Sequence, residues 1–557
     1  MPVATVSKKE IEKFVGKSLD RETLAETIWM YLKADIEEEN GDEITFKFED
    51  TNRPDLWSAE GIGRELRNIL GLHKGYTSYK VNKSNFTVNV DDSKLKEIRP
   101  FIACAVVKDI EFDDAAIKSI MQIQDKLDQN YGRKRKKTSI GIYDYDRIKP
   151  PVLYTTVEPN SKKFVPLGFT APMTPKEILE KHPKGVEYAD ILKKFSEYPL
   201  LIDSEDNILS MPPVINSNHL GKVDRSTKNV LVEVTGTSED AVKNVLNLVS
   251  SALAERGGDI YSVKIVHKQG RKEDITPNLG PLPFKINPSY VKQRIGIDIS
   301  LRDMKHILEK MGYNIVHENT QEDIIEVEAS FYRKDIMHQV DIAEDIAIGY
   351  GFNNILPAEI KVPTIGKLDD LTIKSNLYRD VIIGLGFQEI LNFVLTSKDL
   401  LFAKMNLPEC EVVELANPVS SSWDVMRNSL LPIHLNFLAQ NKTVEFPQKI
   451  FEVGDIVLPD SSAENATKQT RLLCAAITHP RANYTEIKAV LDKLMHDMNL
   501  SFTVKEHENS SYIPGRCGII EVNNKTVGII GEVHPQVLQN FTLENPVVAF
   551  QIHIDWL

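Results

Sequence analysis

"FYRKDIMHQVDIAEDIAIGYGF", residues 331–352, carries four carboxylates within eleven positions: Asp335, Asp341, Glu344 and Asp345. With a helix starting near Ile336, the residues Ile336, Val340, Ala343, Ala347 and Tyr350 fall on one apolar stripe. Asp341, Glu344 and Asp345 then gather on the opposite side as i, i+3 and i+4 neighbours. Like charges so placed repel by about 0.2–0.5 kcal/mol per pair. Such a face is either bathed in water or set against something cationic. Asp335, at the helix start, doubles as an N-cap.

Working outward, the chain of 557 residues is too long for one hydrophobic core and should divide into roughly three to five domains. Its hydrophobic fraction of 42% and charged fraction of 26% are ordinary for globular protein. Lys plus Arg number 67 against 80 Asp plus Glu, a net charge of -13. An acidic chain is a poor non-specific binder of nucleic acid, so any RNA contact must come from local basic patches or a partner subunit. Cys104, Cys410, Cys474 and Cys517 are far apart, form no metal-ligand pattern, and are expected to be small buried apolar residues in a reducing compartment. The start, "MPVATVSKKE", has no apolar signal core, and no 18-residue apolar run occurs, so the expected location is the cytoplasm, without membrane contact.

Residues 20–32, "DRETLAETIWMYL", read as an amphipathic helix, and 42–50, "DEITFKFED", alternate like a strand. In 51–71, Pro54 stops the strand, Ser58 is an N-cap, and Ile62, Leu66 and Ile69 make a helical stripe closed by Gly71. Residues 79–93 read as an extended, exposed connection. From about 95 to 268 helices mix with strands, including "NVLVEVTGT" (229–237). The basic run Arg133, Lys134, Arg135, Lys136 and Lys137 reads either as a solvated loop or as an RNA-backbone contact beside a pocket. "ITPNLGPLPF" (275–284) marks a boundary, a compact unit of about 80 residues follows, and a β-rich region runs from about 361 to the end. "GKS" at 16–18 fails as a phosphate-binding loop, because Ile11 stands where its first glycine belongs. Spacing alone gives a multidomain soluble protein with a possible hard-metal site.

Three longer motifs go further. "EDTNRPDLWSAEGIGRELRNILG" (49–71), "VDIAEDIAIGYGFNNI" (340–355) and "YIPGRCGIIEVNNKTVGIIGEVHP" (512–535) resemble, in order, the signature stretches of the phenylalanyl-tRNA synthetase beta subunit, archaeal and eukaryotic type. The third departs from the pattern by carrying Ile513 where the family has His. The resemblance implies an α+β multidomain fold. Its parts are an N-terminal α/β domain (1–90), a tRNA-editing domain (91–270), a small winged-helix-type domain (271–360) and a catalytic-like but inactive class II synthetase domain (361–557) built on an antiparallel sheet.

It also implies a heterotetramer of two alpha and two beta subunits that charges tRNA-Phe with phenylalanine, ATP being used at the alpha subunit. "FPQKIFEVGDIV" (446–457) looks like a class II motif-two strand, yet the Arg expected to bind ATP is missing, with Lys449 nearby. A pocket shaped for phenylalanine rejects tyrosine only about 100-fold, so a second, hydrolytic pocket that reads the tyrosine hydroxyl is needed. The resemblance places that editing pocket at Asn216, Glu233, Thr235 and Gln124. Glu233 would accept the hydroxyl, and Asn216 and Thr235 would hold the ester and a water. From the residues alone, Asn216 reads as a turn residue and Glu233 as an exposed strand position. The family's Mg²⁺ maps onto Asp335, Asp341, Glu344 and Asp345, whose oxygen-only ligands suit a hard cation. Two other readings stand beside this one: an assembly and tRNA-binding subunit with an inactive editing pocket, and a stand-alone metal-dependent hydrolase using the carboxylates.

Overall fold

The computed structural model describes residues 2–268, 273–360, 362 and 364–557, and divides into two compact units, Met1–Glu359 and Ile360–Leu557. The boundary expected at 270/271 lies outside the described residues, and that at 360/361 adjoins residue 361, which is also outside them.

The first unit opens with a three-stranded antiparallel sheet, ordered Val3–Ser7, Glu43–Phe48, Ala34–Asn40. Helices Arg21–Leu32 and Ala59–Ile69 begin where the sequence places them, with Asp20 accepting from Thr23 N and Ser58 accepting from Gly61 N. Ile62 and Leu66 are fully buried, as their spacing requires.

An eleven-stranded sheet follows. Its path runs Ile215–Asn216, Ile208–Met211, Tyr198–Ile202, Val152–Val157, Thr87–Val90, Asp259–His267, Phe101–Lys108, Val230–Gly236 and Thr138–Asp144. Two short strands, Val81–Asn82 and Asp274–Thr276, pair with Asp259–His267 off that path. Residues 79–93 are therefore not an exposed connection: Thr87–Val90 lies inside the sheet with Val88 and Val90 buried. Val230–Gly236 is buried along its whole length between Phe101–Lys108 and Thr138–Asp144. Val230, Val232 and Val234 join the core formed with helix Glu239–Glu255, while Leu231 joins Tyr143 and Tyr154 on the opposite face.

The two ends of this path meet. Asn216 Nδ2 donates to Ile142 O at 3.3 Å, and Asp144 N donates to Leu220 O at 2.9 Å. Accumulated strand twist thus brings the first and last strands face to face across a gap. The rest of the unit is the small sheet Leu282–Ile286, Ile324–Ala329, Asn314–Asn319 with helices Pro288–Ile295, Leu301–Lys310 and Gln339–Tyr350.

The second unit is built on a seven-stranded sheet ordered Gln388–Glu389, Gln448–Pro459, Thr467–Thr478, Val547–His553, Lys525–Val533, Tyr512–Val522, Phe502–Glu506. Only the pairing of Gln388–Glu389 with Gln448–Pro459 is parallel. Helices Asp370–Gly384 and Tyr484–Asp497 pack into one core and Leu431–Gln440 into another. The fold is thus the expected α+β multidomain class. No helix among the described residues is long and apolar enough to cross a membrane. Three of the four cysteines are buried, but Cys410 is exposed, against expectation.

Candidate active site

The gap between the ends of the large sheet holds a cavity of about 530 Å³. Ile120, Ile140, Ile142 and Val214 give it an apolar wall, and Gln124, Ser139, Ser210, Asn216 and Glu233 are among its polar groups, beside the charged Asp125, Arg135, Lys184 and Lys222. Thr138–Asp144 is the last strand, so alternate carbonyls along its free edge need donors from elsewhere. Gln124 Nε2 donates to Ile140 O at 2.8 Å, and Asn216 Nδ2 to Ile142 O. Each amide is thereby anchored by its nitrogen, which leaves its oxygen free to meet a ligand.

Glu233 lies opposite Gly141 on one neighbouring strand and Cys104 on the other. It is 2% exposed, so the strand position is not a solvent-facing one. Both faces of the strand are covered, and alternation therefore carries no information about which residues see water. Tyr143 Oη donates to Glu233 Oε2 at 2.8 Å, while Oε1 has no hydrogen-bond partner. Burial pushes the Glu233 carboxyl up to about 7, against the hydrogen bond from Tyr143 and the charge of Arg99.

The structure brings Gln124, Asn216 and Glu233 together around the cavity but leaves Thr235 out of its lining. Thr235 is fully buried, its hydroxyl accepting from Arg99 Nε at 2.9 Å and lying 3.3 Å from Ser139 Oγ. It therefore braces Arg99 rather than holding an ester or a water. Tyr143, Ser139, Ser210 and His182 were not read from the sequence. None has a spacing that separates it from ordinary strand or loop residues. His182 lines the cavity, yet Nδ1 accepts from Lys184 N and Nε2 faces Leu167 O, each at 3.2 Å, so neither nitrogen is free to act as a base.

The basic run is divided by its backbone. Arg133, Lys134 and Arg135 have φ of 51°, 52° and 62°, a left-handed turn that costs non-glycine residues roughly 1 kcal/mol or more each. That turn folds Arg135 inward, where Nε lies 3.0 Å from Asp128 Oδ2, Nη1 donates to Pro213 O and Val214 O, and the guanidinium covers the Tyr188 ring. Arg133, Lys134 and Lys136 stay exposed, and Lys137 is half-buried over the Tyr131 ring. Arg135 is thus part of the cavity wall, neither solvated loop nor free cation.

The acidic helix differs from its sequence reading. It spans Gln339–Tyr350 with His338, not Asp335, as N-cap; Ile336, Ala343 and Ala347 of the expected stripe are buried and Val340 is exposed, while burial also takes in Ile342, Asp345, Ile346, Ile348 and Gly349. Its carboxylates already face cations. Arg333 Nη2 donates to Asp345 Oδ2 at 2.7 Å and to Asp335 Oδ2 at 2.9 Å, Tyr313 Oη donates to Asp345, and Lys33 Nζ reaches Glu344 Oε1 at 2.5 Å. Burial alone would raise the Asp335 carboxyl, but Arg333 and Arg53 hold it below the usual carboxylate range. Asp341 Oδ2 accepts from Met337 N and His338 N, both at 2.8 Å. The four do not converge, and no metal-ligating group of three or more His, Cys, Asp or Glu occurs among the described residues. Asp335 and Asp345 are both engaged by Arg333, so as arranged the set does not fit a single Mg²⁺. Only Asp341 and Glu344 present oxygens outward.

In the second unit, Gln448–Pro459 carries Glu452, fully buried and paired to Arg427 Nη1 at 2.7 Å, with Asn392 Nδ2 donating at 2.8 Å. His434 is buried beside this pair, and burial holds its imidazole below the ordinary value. An arginine locked in this way is not available to a nucleotide, and Lys449 stands over the Phe387 ring.

Comparison with known proteins agrees with this layout. Residues 284–352 match the tRNA synthetase B5 domain, and residues 356–554 match the phenylalanyl tRNA synthetase beta chain CLM domain. Those two domains place the chain among the aminoacyl-tRNA synthetases. The chain is 43% identical to the phenylalanine–tRNA ligase beta subunit of Thermococcus sibiricus, covering 100% of this chain and 98% of that one. It is 44% identical to that of Pyrococcus horikoshii, over 100% and 99%. A crystal structure of an N-terminal fragment of the phenylalanyl-tRNA synthetase beta subunit from Pyrococcus horikoshii superposes with a TM-score of 0.60 at 41% identity. It covers 63% of this chain and 99% of the fragment. The chain belongs to the phenylalanine–tRNA ligase beta-subunit family.

Proposed function

We propose that this chain works with an alpha subunit in charging tRNA-Phe, and that its own cavity hydrolyses tyrosine mischarged onto that tRNA. One observation carries the editing half: Glu233 lines the cavity, and its buried Oε1 has no hydrogen-bond partner. Buried polar atoms left unpaired cost about 1–3 kcal/mol, and a hydroxyl delivered by a ligand removes that cost. Tyrosine brings such a hydroxyl. Phenylalanine does not, and would bury the carboxylate while leaving it unpaired, so the pocket inverts the preference of a phenylalanine-binding site.

The reaction is attack of water on the ester carbonyl joining the amino acid to the terminal ribose. The side-chain oxygens of Asn216 and Gln124, their nitrogens already anchored to the edge strand, are placed to orient the amino acid and the water. No serine–histidine pair is used, since both His182 nitrogens are engaged. The exposed Arg133, Lys134 and Lys136, next in sequence to the cavity-lining Arg135, would meet the acceptor-end phosphates. The acidic helix enters no step of this proposal. An ion near Asp341 and Glu344 would need further ligands from water or from a partner chain. The alpha-subunit contact is supported by large exposed apolar side chains in the second unit, such as Leu391 at 90% and Phe393 at 75% exposure.

The test uses the assembled enzyme with preformed Tyr-tRNA-Phe and Phe-tRNA-Phe. Rapid deacylation of the tyrosyl ester alone is the expected result. Equal, slow loss of both would favour an assembly subunit with an inactive pocket.

A further inference from the structure

Glu233 lines the cavity with one of its two oxygens, Oε2, held in a hydrogen bond, and the arrangement that makes this so is built into the sheet. Tyr143 lies two residues beyond Gly141 on the same face of the edge strand, and Gly141 is the residue opposite Glu233. A Cβ at position 141 would stand 2.1 Å from Tyr143 Oη and 2.5 Å from Glu233 Oε2. The glycine therefore leaves the space in which the phenol and the carboxylate meet. Tyr143 Oη in turn lies 2.8 Å from Ser210 Oγ, so the phenol is fixed from both sides and is itself fully buried.

We infer that Tyr143 is a positioning residue for Glu233: its phenol occupies Oε2, fixes the side chain, and leaves Oε1 as the single acceptor for a ligand hydroxyl. The consequence for hydrolysis rests on the editing reading above, whereas the hold of Tyr143 on Glu233 stands or falls by itself. The titratable and charged groups around Glu233 are Tyr143 on the edge strand, Cys104 on the other neighbouring strand, Tyr154 across the sheet, and Arg99. Burial pushes both the Tyr143 phenol and the Cys104 thiol well above their ordinary values, so both remain neutral donors. Arg99 is already engaged with Thr235 and Ser139. Tyr143 thus gives the largest contribution favouring the ionised carboxylate, ahead of the charge of Arg99 and a hydrogen bond from Thr235.

The experiment follows Glu233 itself by difference infrared spectroscopy of the full chain across pH 5 to 9, with the carboxyl band assigned by its loss in Glu233→Gln. In Tyr143→Phe the midpoint for deprotonation should rise by about one pH unit. Gly141→Ala, which crowds the same meeting point, should move it the same way. In the assembled enzyme, Tyr-tRNA hydrolysis by Tyr143→Phe should fall about 3- to 10-fold at pH 7 and recover as the pH is raised. An unchanged midpoint in Tyr143→Phe overturns the inference, whatever hydrolysis does. A raised midpoint with no hydrolysis by the wild type leaves the positioning role in place and removes the editing reading.

Discussion

Asp128, like Glu233, is a carboxyl that burial holds against ionisation. It is fully buried, with Arg135 Nε at 3.0 Å, yet burial outweighs Arg135 and Arg99 and pushes its carboxyl from 3.8 up to about 7. A folded-state value above the unfolded one means the unfolded chain gives up its proton first as pH rises. The stability held by the protonated form is therefore complete below about pH 4 and is lost as the pH climbs through 7. Asp128→Asn, which cannot ionise, should gain on the wild type over that window by on the order of 2–4 kcal/mol. Denaturant unfolding at pH 4.5 and pH 8 checks this, and a difference that does not change with pH would contradict it. At this scale the sequence was legible only in part. Gln124, Asn216 and Glu233, far apart in sequence, line one cavity, but alternation in "NVLVEVTGT" reads Glu233 as exposed. Thr235 and Tyr143 exchange importance because partners brought in from distant strands, Arg99 and Ser210, decide what each hydroxyl does.

At the scale of elements, two charge-rich segments are each split by the fold into buried and exposed parts. Neutralising Arg133, Lys134 and Lys136 should weaken tRNA binding and flatten its salt dependence by up to about three in log–log slope, whereas Arg135→Gln should disturb the cavity and leave the slope nearly unchanged. Binding measured across a range of KCl concentrations separates them, and identical slopes in all variants would return the run to plain solvated loop. On helix Gln339–Tyr350, Asp345→Asn leaves Arg333 underpaired in the interior and should cost about 3 kcal/mol. Glu344→Gln, on the exposed side, should cost no more than about 1 kcal/mol. Thermal unfolding of the two variants checks the contrast, and equal costs would contradict the pairing. The helix was legible in the sequence and so was part of its stripe, Ile336, Ala343 and Ala347. Burial runs further round the helix than a single stripe and takes in Asp345, which the periodicity turns outward. Likewise Thr87–Val90 was read as exposed because its polar residues obscure two buried valines that sheet pairing requires.

For the whole molecule, the proposed editing belongs to the first unit, and charging would belong to the alpha subunit. The second unit keeps a synthetase-like sheet around an Arg427–Glu452 pair, and the chain alone is expected to make no phenylalanyl-adenylate. Phenylalanine-dependent pyrophosphate exchange by the isolated chain above background would contradict that. The family and fold class were legible from three motifs spread from residue 49 to 535, while the curling of the large sheet onto itself was not, since it arises from pairings between segments far apart in sequence. The central claim is that the cavity in that gap edits by reading a hydroxyl, independently of charging. Its most direct test is Glu233→Ala in the assembled enzyme, with deacylation of Tyr-tRNA and synthesis of Phe-tRNA measured side by side. Losing a charge-assisted hydrogen bond costs about 1.5–3 kcal/mol, so Tyr-tRNA hydrolysis should fall roughly 10- to 150-fold while phenylalanylation keeps its wild-type rate. Tyr-tRNA hydrolysis undiminished in this variant would contradict the account.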